Sequence, residues 1–362
     1  MIFELLLLAI GFVMLVKGAD WFVGGAVSIA DRKNQFETID YTPYVCPWNY
    51  DVVEAAKADG KVHYYFFAGE GLHISDGQTY KDKWGDAYLV VFPNGQTLLV
   101  DSGPLSYAPV VAENLRRMGI THLDALLVTH PHSDHHNGLF YDSAVLNIGF
   151  LQEIDIDQVY FRGGEDPDST TEDLVSRVCR DLNIPCDVME KGDELTFGDV
   201  RIACVWPLLG QGDAHISGGE EINNMSIVIR LDYGEHSSLL TGDLYVDGEK
   251  WILERVDQAL LDVDFLKVPH HGYNTSSSVA FLNAISPELA MSIGRLPIPQ
   301  KVYDRYETLG IELLDDRMCG YVEVTGAADG TLEYTTSRNG LDDETPTPDT
   351  GDEEVLPDTD ED

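Results

Sequence analysis

Positive charge is scarce in this chain. Its 362 residues hold 23 Lys and Arg against 63 Asp and Glu, a formal net charge of −40. Binding along a nucleic-acid duplex rests on many Lys and Arg contacts to phosphate. The balance therefore argues against duplex DNA or RNA and leaves a single strand, a nucleotide or another small phosphodiester as the fitting partner. Cysteine is sparse too. The five, Cys46, Cys179, Cys186, Cys204 and Cys319, are odd in number and form no C-x-x-C pair. That argues against a disulfide framework and leaves a Cys179–Cys186 link only if the chain folds back between them. Cys204 alternates within a strand-like run and reads as a small buried apolar residue. No segment repeats. Basic residues are absent from residues 341–362, which carry eleven Asp or Glu with Thr-Pro and Pro-Asp steps, the composition expected of a disordered acidic tail over 339–362. Setting that tail aside leaves a net charge of −29, so the body is acidic in its own right.

Long apolar runs are confined to the amino end. Leu5–Val16 is uninterrupted, and after Lys17-Gly18-Ala19-Asp20 a second run extends from Trp21 to Ala30. Together they meet the requirement of about 20 residues for a spanning helix, at the cost of an internal charge, and 1–33 is expected to be a membrane segment. Glu4 stands where a signal peptide would carry basic residues. Arg32 and Lys33 follow, and would keep the carboxyl end of the segment cytoplasmic.

Residues 34–60 read as a connecting region and 61–338 as one domain. Strands are expected near 61–67, 86–92, 97–101, 123–129, 156–161, 200–206, 225–232, 237–241, 263–268, 288–293 and 320–324. Helical patterns fall near 106–118, 170–182, 246–258, 276–284 and 300–308, with Thr170-Thr171-Glu172-Asp173 as an N-terminal cap signal. Such interleaving suits two sheets with helices outside.

Chemistry concentrates in His130-Pro131-His132-Ser133-Asp134-His135-His136, four imidazoles and one carboxylate in seven residues. These are ligand types for zinc or a similar first-row divalent ion. The run follows the strand-like Leu123–Thr129. Two later strand-like segments end in comparable groups, Thr241-Gly242-Asp243 and Pro269-His270-His271-Gly272. A carboxylate at such an end can bridge two cations about 3.5–4 Å apart.

The strings LLVTHPHSDHHNG, LLTGD and LKVPHHG resemble the metallo-β-lactamase fold superfamily. They are most similar to the hydrolase domain of ComEC-type competence proteins and their free-standing relatives, over roughly 61–338. Lys83–Ala87, the turn Pro93-Asn94-Gly95, Leu99–Gly103, Asn223-Asn224-Met225-Ser226 and Ala290–Gly294 fall in the family's order. The resemblance implies an α/β fold, a four-layer αββα sandwich, and a hydrolase whose nucleophile is a metal-bound hydroxide. It implies two divalent ions, zinc first and manganese as the alternative. His130 and His132 would hold one, Asp134, His135 and His270 the other, and Asp243 would bridge. Asp134 would also handle the proton of the attacking water, and His271 would act beside the metals. Asp101, Asn223, Asn224, Tyr273 and Ser276 would support the ligands or face substrate.

The chain departs from the wider superfamily where a third histidine for the first metal is common. Asn223 and Asn224 occupy that stretch, and His215, the nearest imidazole, reads as a loop residue, so the first metal is expected to be weakly held. His63, His73, His122 and His236 carry no spacing signal and are expected on the surface or in strands. Gly11–Ala26 resembles the first membrane helix of the sodium/calcium exchanger family, a likeness that stops near residue 33. One helix cannot build an ion pathway, so no transport follows, and a fused or mis-joined frame is an alternative reading of it. The family's usual extracytoplasmic placement opposes the cytoplasmic side indicated by Arg32 and Lys33.

The expected function is metal-dependent hydrolysis of phosphodiesters, as a phosphodiesterase or nuclease. The alternatives are a carbonyl substrate (lactone, thioester or β-lactam) and a membrane-tethered binding protein with a vestigial site. Loops 154–171 and 210–221 would shape the pocket, and their composition names no substrate; nor does the sequence specify an oligomeric state.

Overall fold

Strands buried on both faces decide the architecture, because each face then needs a layer to cover it. The computed structural model describes residues 46–67, 86–104, 107–139, 154–162, 174–208, 219–294 and 298–337. In chain order the strands are β1 (Val62–Phe66), β2 (Tyr88–Val91), β3 (Thr97–Val100), β4 (His122–Leu123), β5 (Ala125–Val128), β6 (Asp155–Ile156), β7 (Val159–Phe161), β8 (Cys186–Val188), β9 (Glu194–Phe197), β10 (Val200–Trp206), β11 (Val228–Tyr233), β12 (His236–Leu240), β13 (Phe265–Lys267), β14 (Leu289–Ser292), β15 (Glu312–Asp315), β16 (Val322–Gly326) and β17 (Leu332–Thr336). The first sheet has the order β17-β16-β1-β2-β3-β5-β7-β8 and the second β15-β14-β13-β12-β11-β10-β9, while β4 and β6 form a short parallel pair.

The helices are α1 (Val52–Asp59), α2 (Ala108–Arg117), α3 (Ser133–His136), α4 (Leu174–Leu182), α5 (Gly219–Asn224), α6 (Val246–Arg255), α7 (Val279–Ile285), α8 (Gln300–Leu309) and α9 (Asp316–Cys319). Val62, Tyr64, Val90, Leu98 and Leu127 of the first sheet meet Ile202, Ile229, Phe265 and Met291 of the second in one buried core. The alternate residues Val228, Leu239, Leu266 and Ala290 face outward and pack against Ile252 of α6, Phe281 and Leu282 of α7 and Val302 and Tyr306 of α8. Each such side chain contributes about 1.5–3 kcal/mol by leaving water. On the other side α1 packs on β2 and α4 against β8. The result is the α/β, four-layer αββα sandwich.

The connecting region expected over 34–60 is already part of the folded unit from Cys46 onward. Trp48 sets its ring edge-on against Tyr65 at 4.8 Å and Tyr321 at 5.4 Å. Asp51 caps α1 by accepting from Glu54 N at 3.1 Å, which satisfies one of the donors a helix start leaves open. Val52 and Ala56 turn their side chains inward and are fully buried. All five cysteines are free, so Cys179 and Cys186 form no link. Cys204 is buried as expected, and burial pushes its thiol up to about 12. Among the described residues no helix is long and apolar enough to cross a membrane. The segment 1–33, His73, the cap signal at 170–173, His215 and the tail 339–362 lie outside the described residues.

Candidate metal centre

β3, β5 and β7 run parallel in the first sheet, and β12, β13 and β14 run parallel in the second. Their carboxyl ends lead into Asp101, Thr129-His130, Arg162, Asp243, His270-His271 and Ile293. The two sets meet where Ile227 N donates to Thr129 O at 2.9 Å. After β5 the chain makes the single turn α3, with His135 N and His136 N donating to His132 O at 3.0 and 3.2 Å. That turn is clamped from outside by Ser102 N and Oγ, which donate to His135 O at 2.7 and 3.0 Å. Gly138 permits the approach, since a Cβ there would lie 2.2 Å from Ser102 O.

Hydrogen bonds behind the imidazoles fix which nitrogen each presents. The Thr129 hydroxyl donates to Asp101 Oδ2 at 2.7 Å, so its oxygen is left to accept from His130 Nδ1 at 3.1 Å. His135 Nδ1 donates to Asp101 Oδ2 at 2.8 Å, and His271 Nδ1 donates to Ile293 O at 2.9 Å. All three Nε2 atoms therefore point inward, to within 4.0, 3.0 and 3.1 Å of Asp243 Oδ2 for His130, His135 and His271 respectively. His132 Nδ1 lies 3.1 Å from His130 Nε2, and Asp134 Oδ2 lies 3.5 Å from His271 Nε2.

The electrostatics follow from burial and from these neighbours. Burial, with His135 and His132 beside it, drives His130 well below the usual histidine range, so it is neutral. Burial alone would do the same to His135 and His271. The surrounding carboxylates, Asp243 first, outweigh it and hold both well above that range. Asp243 would be raised by burial, yet His135 and His271 keep it well below the usual carboxylate range. The centre's field draws positive charge to one point. One ligand atom each from Asp134, His135, Asp243 and His271 lies within 4.8 Å of the others. Two imidazole nitrogens and two carboxylate oxygens make a donor set that suits zinc, manganese or iron. The residues fit a divalent ion there, and His130, with His132 beside it, extends the set from the same Asp243 oxygen.

One expectation is exchanged. His270 does not join these atoms: its Nδ1 is hydrogen-bonded to Thr275 Oγ1, its ring lies tilted against Tyr245 at 4.4 Å and edge-on to Tyr273 at 5.1 Å, and burial lowers it to about 3. His271 is instead the residue whose ring nitrogen lies with the oxygens of Asp134 and Asp243. Ser276 is spent inside the loop, donating to Pro269 O at 2.8 Å and Tyr273 O at 3.1 Å, rather than facing substrate. Asn224 caps the start of α6 by accepting from Tyr245 N at 3.1 Å and Gly248 N at 2.7 Å. Asn223 is fully buried with neither amide atom hydrogen-bonded. Asp101 accepts from His135 Nδ1 behind the imidazole, away from Asp243.

Three site residues were not anticipated as such. Asp86 stands 3.4 Å from His271 Nδ1, and Lys267 forms a buried ion pair with Asp86. Arg162, buried at the end of β7, lies near enough for its charge to disfavour protonation of His130.

Residues 85–199 match the metallo-β-lactamase superfamily. The match takes in β2, β3, β5 and the turn that carries His130–His136. The chain is 33% identical over 146 residues to the uncharacterised protein YcaI of Escherichia coli (strain K12), covering 39% of this chain and 18% of that protein. It is 25% identical over 224 residues to ComE operon protein 3 of Bacillus subtilis (strain 168), covering 57% of this chain and 26% of the relative. The chain thus spans about a quarter or less of these relatives. Among solved structures, the metallo-β-lactamase fold protein YhfI from Bacillus subtilis aligns over 76% of this chain and 99% of its own, with 14% identity and a TM-score of 0.44. The match, together with the converging His and Asp side chains, supports a divalent metal at this site.

Proposed function

We propose that this metallohydrolase cleaves phosphodiester bonds in small or single-stranded substrates, with zinc or manganese as its metal. The observation that carries the anionic substrate is Arg162. It is a buried guanidinium beside His130 in a chain with few cations. A guanidinium recognises a phosphate through paired, charge-assisted hydrogen bonds, whereas a neutral lactone or thioester gives it no such partner. The convergence of four ligand atoms speaks against the vestigial reading.

The residues divide the work as their surroundings dictate. Asp134, His135, Asp243 and His271 would hold one divalent ion, and His130 and His132, with Asp243 between the sets, would hold a second. When bound, such ions polarise a phosphoryl oxygen and bring the pKa of water towards about 7. Asp134 is the most exposed carboxylate of the four-residue set, 17% accessible against 3% for Asp243, and stands where it can accept the proton of an attacking water. Arg162 orients the phosphate from the His130 side.

The test is metal loading followed by turnover. Chelated protein is reloaded with zinc or manganese, metal content is read by mass spectrometry, and phosphodiester, lactone and thioester substrates are compared. We expect phosphodiester turnover that is lost in His132→Ala, and a raised KM with unchanged metal content in Arg162→Met. Lactone or thioester turnover without phosphodiester turnover would overturn the substrate; no metal uptake would overturn the metallohydrolase centre.

A further inference from the structure

Lys267 closes β13 in a sheet interior that is otherwise apolar. It pairs in parallel register with Leu240 of β12 on one side and Met291 of β14 on the other. Phe265, two residues earlier, belongs to the core between the sheets, so the Lys267 side chain enters the same space. It is fully buried there. An ammonium in such a place persists only when its three donors are met by strong acceptors. It pairs with the Asp86 carboxylate and donates to Gly242 O at 3.2 Å, and Asp243 Oδ1 stands 3.9 Å away as a further ion-pair partner.

These contacts divide the Asp243 carboxylate between two cations. Oδ1 faces the ammonium, while Oδ2 faces the imidazoles of His135 and His271 at 3.0 and 3.1 Å. Asp86 joins the two sides, since it holds Lys267 and also lies 3.4 Å from His271 Nδ1. A lysine that only stapled the sheets together could have paired with Asp86 alone. This one also reaches the carboxylate shared by both ligand sets.

We propose that Lys267 is a fixed internal cation that competes with metal for Asp243. It reserves Oδ1 and opposes the positive charge of the bound ions, so that the centre holds metal loosely and exchanges it. Lys267 is thus a positioning residue. The inference rests on the metal reading of the site and adds to it a reason for weak, reversible occupancy.

Lys267→Met retains most of the side-chain volume and removes the charge. Metal affinity is measured by chelator competition, metal release by stopped flow, and stability of the chelated protein by thermal unfolding. The expected signature is a pair of opposite changes: chelated protein that melts lower, and metal held at least tenfold tighter with slower release. Lys267→Arg, which keeps the charge, should stay within about threefold of the wild-type affinity. If Lys267→Met is too unstable to purify, Asp86→Asn with and without Lys267→Met gives the same comparison with one buried carboxylate removed. Metal affinity that is unchanged or weaker in the Lys267→Met background overturns the proposal. A wild-type chain that takes up no divalent ion overturns the metal reading instead.

Discussion

Asp101, His270 and His271 hold φ angles of 56°, 45° and 53°, in the left-handed region that costs an L side chain about 1–3 kcal/mol. All three border the metal centre. At Asp101 the strain is compensated by three hydrogen bonds, from Thr129 N, Thr129 Oγ1 and His135 Nδ1 at 2.7, 2.7 and 2.8 Å. Asn at this position must aim its NH2 group at one of those donors. Asp101→Asn should therefore misorient His135 and lower metal affinity about 10–100-fold, the usual effect of losing an outer partner; equal chelator-titration curves for variant and wild type would reject this. The same backbone explains what the sequence left unread. The H-x-H-x-D-H run and Asp243 were legible because each follows a strand-like stretch. Which of His270 and His271 faces the centre was not, because two consecutive left-handed residues obey neither strand nor helix periodicity. Asp86 and Lys267 escaped notice for a different reason: each is buried by a partner far along the chain.

The strand expectations match the strands to within a few residues where the run is buried almost throughout, as in β1, β3 and β10. Elements that lack such a pattern were missed. α3 is a single turn, too short to display a 3.6-residue period, and β17 is mostly exposed. α1 was absorbed into a connecting region although its last residue helps anchor it to the first sheet. His63 on β1 lies 3.1 Å from Asp59 Oδ1 at the end of α1 and 2.8 Å from Glu323 Oε1 on β16. Burial disfavours its charge, but Glu323 and then Asp59 outweigh burial and raise it above the usual histidine value. The stabilisation is therefore complete below the unfolded pKa of about 6.5 and is lost as pH rises through the higher folded value. Denaturant unfolding of wild type and His63→Gln between pH 5.5 and 8.5 should show the wild-type advantage shrinking as pH rises. A constant difference would remove His63 from the account.

At the scale of the whole molecule, the acidic body, the acidic tail and the apolar amino end are separate compositional regions. Four carboxylates, Asp86, Asp101, Asp134 and Asp243, and the buried cations Lys267 and Arg162 line the centre. The wider surface carries most of the net charge. The two apolar runs within residues 1–33 lead us to expect the full chain to sediment with membranes and resist a high-salt wash. A chain beginning at Cys46 should remain in the supernatant and still take up metal in mass spectrometry. A full chain found in the supernatant would refute the membrane role of 1–33.

His135 and Asp243 meet across 108 residues of sequence, and His271 lies farther still. During synthesis His130–His135 emerges long before Asp243 and His271 exist. A zinc finger gathers its ligands locally and folds around the ion. Here Asp101 can meet His135 early, but Asp243 and His271 reach it only when the second sheet has formed and docked, contacts that are slow because they are distant. Metal capture should therefore come late in the life of a nascent chain. A chain halted before β13, or cut between the two sheets, would carry the most recognisable part of the motif and still be unable to assemble the four-ligand pocket.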